Sequence, residues 1–172
     1  MFQNPEIPPS ELPGADDIQW QALDPAYKRL RRLQNSIGIL AAAVPLVTVT
    51  VAAKLPVLPV VALSACWVVF SVLLLIWPGI SLPKRGYVLR DKDILFRKGV
   101  IWRSVTAIPF NRIQHVETSS TPFDRKFDLA TLQLFTAGGS GGDLKIDGLS
   151  TATAEQLRVF ILEKAGASIE NS

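Results

Sequence analysis

Two apolar runs, residues 36–53 and 55–80, lie back to back in this chain, parted only by Lys54 and bounded on both outer sides by arginines and lysines. Each is about as long as the roughly 20 residues an α-helix needs to cross a hydrocarbon core of about 30 Å. The competing reading is a buried core helix, but 45 consecutive residues with a single charge are rare in a soluble chain of 172. The pattern predicts a membrane hairpin with spans near residues 36–53 and 57–78. The second run is the cleaner. The first carries Gly38, Pro45, Thr48 and Thr50, and hydroxyl side chains and a neighbouring helix can satisfy the backbone group that Pro45 frees. Small residues, Gly38, Ala42 and Ala43 in one run and Ala62, Ser64, Ala65 and Cys66 in the other, permit close packing of the two helices. Neither span holds an ionisable residue, which speaks against an ion or proton pathway.

The flanking charges predict orientation. Lys28, Arg29, Arg31 and Arg32 precede the first span and Lys84 and Arg85 follow the second, against Lys54 alone between them. Basic flanks stay on the cytoplasmic side, so both termini are expected in the cytoplasm, with the chain a multi-pass membrane protein. Trp77 fits an interfacial anchor. The six juxtamembrane bases meet anionic headgroups at that depth, and their simplest role is topological. Residues 1–24 hold four prolines, five acids and no base, so residues 1–23 read as a disordered tail. Asp24 followed by Pro25 is a helix start, N-cap then first helical position, and that helix can run on into the first span. Cys66 has no partner in the chain, so no disulfide framework or cysteine zinc site is possible.

Residues 84–166 form a separate block, and residues 167–172 read as a short tail. Through residue 165 the block holds 13 Lys or Arg against 9 Asp or Glu. Short apolar stretches recur between turn residues, predicting strands near 86–90, 94–98, 100–108, 112–119, 131–136 and 144–147. Asp91-Lys92-Asp93 closes the first hairpin, and the glycine-rich 138–142 closes the last. Ala154, Leu157, Phe160, Ile161 and Ala165 then fall at helical spacing, with Thr153 and Gln156 as a capping box and Gly166 as the stop. Six strands and one amphipathic helix predict a bent antiparallel sheet closed by the helix.

The run from Gly86 to Asp91, residues 94–99, the segment Pro109-Phe110-Asn111-Arg112-Ile113-Gln114 and the glycine-rich hairpin before a final helix resemble the bacterial pleckstrin-homology-like, membrane-flanked family typified by YdbS-like proteins. Pro109, Arg112, Ile113 and Gln114 are its most specific label, and the resemblance extends over roughly residues 20–165. It implies a PH-like fold, a bent seven-stranded sheet capped by a helix. A seventh strand is then expected within residues 121–128, or the strand boundaries shift. The resemblance implies no catalytic residues. Basic residues near the first hairpin bind phosphoinositide headgroups in eukaryotic PH domains, which points to Arg90, Lys92, Arg97, Lys98 and Arg103 as candidates for anionic lipid.

No catalytic set can be assembled. His115 is the only histidine, on a predicted strand, and its pairing with Glu117 as a general base has nothing else to support it. The glycine-rich loop lacks the lysine and hydroxyl of a phosphate-binding loop and precedes a strand. The scattered aspartates lack calcium-loop spacing. No cofactor or metal is expected. A charge of +3 without a nucleic-acid motif makes nucleic acid an improbable ligand. The sequence therefore predicts a non-enzymatic membrane protein whose cytoplasmic PH-like domain recruits a partner, another membrane protein or a copy of itself, or alternatively binds membrane lipids through its basic first strands.

Overall fold

A computed structural model describes residues 18–54, 56–136 and 144–170. The first membrane helix, α1 (Pro25–Ala52), starts where Asp24 and Pro25 predict, with the Ala26 amide donating to the Asp24 carboxylate at 2.7 Å. It is one continuous rod through the basic residues into the first apolar run. At about 1.5 Å per residue its 28 residues reach roughly 42 Å, enough to cross and to project. Lys54, at φ 45°, turns the chain into α2 (Val57–Ser81), and a 3-10 turn, Leu82–Lys84, follows.

The hairpin is joined by a polar contact the sequence did not single out. The Asn35 amide donates to the Leu74 carbonyl at 2.7 Å, and Ser71 and Pro78 are buried. The expected small residues lie elsewhere: Ala42, Ala62, Ser64, Ala65 and Cys66 are exposed, and a Cβ on Gly38 would meet nothing within 4 Å.

Beyond the hairpin stand two antiparallel sheets. One runs β1 (Gln21–Ala22), β2 (Gly86–Leu89), β3 (Asp93–Lys98) and β4 (Ser104–Pro109) in spatial order. The other runs β5 (Ile113–Ser119), β6 (Leu129–Thr136) and β7 (Leu144–Ser150). Among the described residues there are seven strands, as the resemblance implied, but the seventh is β1, before the membrane hairpin. Gln21 and Ala22 pair with Tyr87 and Gly86, so the end of the expected tail is a strand; residues 1–17 lie outside the described residues. The segment expected to hide a strand is instead α3 (Pro122–Lys126), started by a reciprocal capping box between Thr121 and Asp124. Residues 100–103 are loop, not strand. The expected glycine-rich turn lies outside the described residues.

Helix α4 (Thr151–Glu170) closes the domain. Its cap is Ser150, whose hydroxyl accepts from the Thr153 amide at 3.2 Å, three residues before the predicted cap, and it continues past Gly166 to Glu170, into the segment expected as a tail. Ala154, Leu157 and Ile161 join one core with Ile94 and Phe96 of the first sheet and Leu132 and Ile146 of the second. Phe160, expected on that buried face, stays partly exposed with its ring edge-to-face on Phe110. A second cluster packs Ala26, Tyr27 and Leu30 of α1 against Leu129 of β6, with Leu23, Leu82 and Phe127 around it. The domain therefore includes residues on both sides of the membrane hairpin, and a boundary at residue 84 cuts through it.

Candidate functional site

The course of the chain out of α2 decides where the charged residues gather. β2 carries it away from the end of α2, and antiparallel β3 brings it back. The last pair of the β3–β4 ladder, Lys98 with Ser104, therefore lies one step beyond the pairing of Gly86 with Arg97. The loop 99–103 hangs past the sheet on the side of Lys84.

Between them is a cleft of about 270 Å³ lined by Pro83, Lys84, Arg97, Lys98, Gly99, Arg103, Ser104 and Val105. Four of those eight residues are basic and none is acidic, so an anion is the ligand chemistry it favours. Arg97 is held in place. Its guanidinium carbon lies 4.6 Å from the centroid of the Trp20 ring, a cation–π distance. It crosses above Gly86, where a Cβ would meet both the Gln21 carbonyl at 3.0 Å and Arg97 Nε at 3.4 Å. Arg97 Nε is buried with no hydrogen-bond partner among the described residues. Trp20, outside every predicted element, escaped the sequence reading.

Of the five lipid candidates, three meet here: Arg97, Lys98 and Arg103, joined by Lys84 from the membrane flank. Arg90 and Lys92 do not. They sit in the β2–β3 turn, at the far end of the same strands, because a hairpin sends successive turns to opposite ends.

The other juxtamembrane bases divide as well. Lys28 and Arg32 flank Gly79 near the end of α2, with side-chain atoms 3.6 and 3.7 Å from where its Cβ would be. Arg29 is exposed and Arg85 half-buried. Arg31 lies over the Tyr27 ring at 5.3 Å and donates to the Gln34 side chain. It lines a smaller cleft of about 190 Å³ with Asp124, Lys145 and Asp147, where acids balance the bases. Within the family label, Ile113 is buried, whereas Pro109, Arg112 and Gln114 are exposed at the corner between the two sheets.

His115 leans on Phe135 with ring centroids 5.6 Å apart, and shares an exposed face of β5 with Glu117. Among the described residues no group of three or more His, Cys, Asp or Glu could hold a metal ion.

Comparison with known proteins agrees with this architecture. The family model described as Bacterial PH domain matches residues 36–165, taking in both spans and most of the sheets. The chain is also similar to the transmembrane protein YdbS of Bacillus subtilis (strain 168), 30% identical over 76 residues. That alignment covers 44% of this chain and 48% of YdbS, so the chain spans about half the length of this relative. No solved structure matches. Neither description is that of an enzyme class. With two apolar helices leading into a seven-stranded, helix-capped domain and a family model spanning most of its length, the chain belongs to the bacterial PH domain family as a YdbS-like membrane protein.

Proposed function

We propose that this protein holds anionic phospholipid headgroups at the inner surface of the bacterial cell membrane, by binding and without catalysis. The cleft between Lys84 and the loop 99–103 carries this reading, since its four bases and no acid stand at the point where the chain leaves α2. Arg97, stacked on Trp20 with a buried Nε, is preorganised, so little side-chain entropy is lost when a phosphate binds. The domain lies at the basic end of the hairpin, which supports a cytoplasmic domain and cytoplasmic termini.

The test uses the full chain, because β1 and the foot of α1 are part of the fold. Proteins released from nanodiscs of phosphatidylcholine and phosphatidylglycerol are weighed by native mass spectrometry and the retained lipids counted. The preference for phosphatidylglycerol should fall about thirtyfold in Lys98→Ala/Arg103→Ala, from about 1 kcal/mol for each base near the surface. It should also weaken with salt. Equal retention of both lipids by the native chain would exclude the reading.

A second reading, recruitment of a protein partner, has one observation in its favour. Val159 and Phe160 line an open groove of about 500 Å³ on the outer face of α4, bordered by Gln156 and Glu163. Val159→Glu should then remove a protein captured with the native chain from its own membranes, with retained lipids unchanged. Capture of the same proteins by both forms would exclude it.

A further inference from the structure

The loop after β3 carries more than the charges of the cleft. Trp102 is 86% exposed, above every other large apolar residue among those described, including those on the membrane helices, and Ile101 beside it is 70% exposed. A water-facing domain surface gains nothing from such a pair, and an exposed indole next to an isoleucine is the composition of an interfacial anchor. Lys98 and Arg103 bracket the pair, and Lys84 lies across the cleft. Apolar tip and basic collar together match the boundary between acyl chains and anionic headgroups.

The loop's height above the bilayer also fits. From Val57 to Trp77 α2 spans about 30 Å, one hydrocarbon thickness, so Trp77 falls at the domain-side boundary. Lys84 follows within about 10 Å, the depth of the headgroup layer and its edge. β3 runs back toward that boundary, and Gly99 and Arg103, the two ends of the loop that follows it, share the cleft with Lys84. Gly99 makes the turn possible: its φ is 108°, and a Cβ there would overlap the Trp102 carbonyl.

We propose that residues 99–103 form a wedge that seats Ile101 and Trp102 in the acyl–headgroup boundary of the bilayer that holds α1 and α2, giving the domain a third membrane contact. The wedge needs only the two-helix anchor; it does not depend on headgroup binding in the cleft. It fixes the tilt of the domain, and with it the surface the domain turns toward the cytoplasm.

A nitroxide placed at Ile101→Cys in the full-length Cys66→Ser protein reads the depth. One copy is assembled per nanodisc, first of phosphatidylcholine alone and then with phosphatidylglycerol, and relaxation by oxygen is compared with relaxation by a water-soluble nickel chelate. Site 101 should be shielded from nickel and open to oxygen, on the side of a label at Val69→Cys in mid-span and unlike one at Asn111→Cys, which is exposed on the domain. Trp102→Glu lies in the loop, outside every strand, and should return the label at 101 to water. Nickel access at 101 equal to that at 111 would overturn the wedge, as would shielding that arises only when two copies share a disc. Shielding in both lipid mixtures without retention of phosphatidylglycerol supports the wedge and counts against the headgroup reading. Retention of phosphatidylglycerol with a water-exposed label does the reverse.

Discussion

Replacing Gly148 with alanine is expected to destabilise the full chain by about 2–5 kcal/mol, because one methyl group meets two obstacles at once. Gly148 stands near the end of β7 at φ 78°, in the left-handed region where a Cβ alone costs roughly 1–2 kcal/mol. That Cβ would also overlap the Tyr27 ring, which sits on the first turns of α1 and is buried. Its carbonyl accepts from the Asp24 amide at 2.9 Å, so the same residue holds the helix cap and the ring. This is the joint between the membrane hairpin and the domain. The melting midpoint in micelles should fall by roughly 4–20 °C, from about 2–4 °C per kcal/mol for a chain of this size. Tyr27→Ala added to Gly148→Ala should remove the overlap and leave the backbone cost, so the double variant loses less than the sum of the two singles. Additive losses would mean that the ring and the glycine do not meet.

What was legible in the sequence follows the range of the signals. The spans, the Asp24 cap and the apolar face of α4 are local and periodic, and they lie near where the residues predict. β1 is two residues long, too short for any period, and owes its existence to Gly86 and Tyr87, more than sixty positions away. Thr121-Pro122 with Asp124 is a local capping signal that marks a helix start, which a strand count of seven set against a strand. Val100 and Ile101 have strand-forming side chains, but Gly99 at positive φ ends the strand before them. The same turn explains the site. Arg97, Lys98 and Arg103 were readable as a basic group, but which end of the hairpin they occupy depends on pairing. Lys84 and Trp20 join them only through the fold, and Trp102 carried no periodic signal.

Phe110→Ala is the second large effect, expected to cost about 3–5 kcal/mol, the usual range for removing a fully buried phenylalanine. Phe110 is 1% exposed in the 3-10 turn Phe110–Arg112, between the end of β4 at Pro109 and the start of β5 at Ile113. Its ring stands 6.1 Å from that of Phe160 at 81°, and its amide donates to the Lys92 carbonyl at 2.9 Å. One side chain thus fastens the corner where the first sheet passes into the second to α4 above it. Arg112→Ala and Gln114→Ala, exposed on the same corner, should each cost about 0.5 kcal/mol or less. Chemical denaturation of the three variants in micelles separates two meanings of the segment Pro109 to Gln114. A loss confined to Phe110 makes the segment a device for turning one sheet into another, one that any ligand chemistry can share. A comparable loss at Arg112 or Gln114 would give those side chains a partner that the described residues do not supply. The first outcome leaves the ligand to the opposite end of the first sheet, where the bases and Trp102 stand.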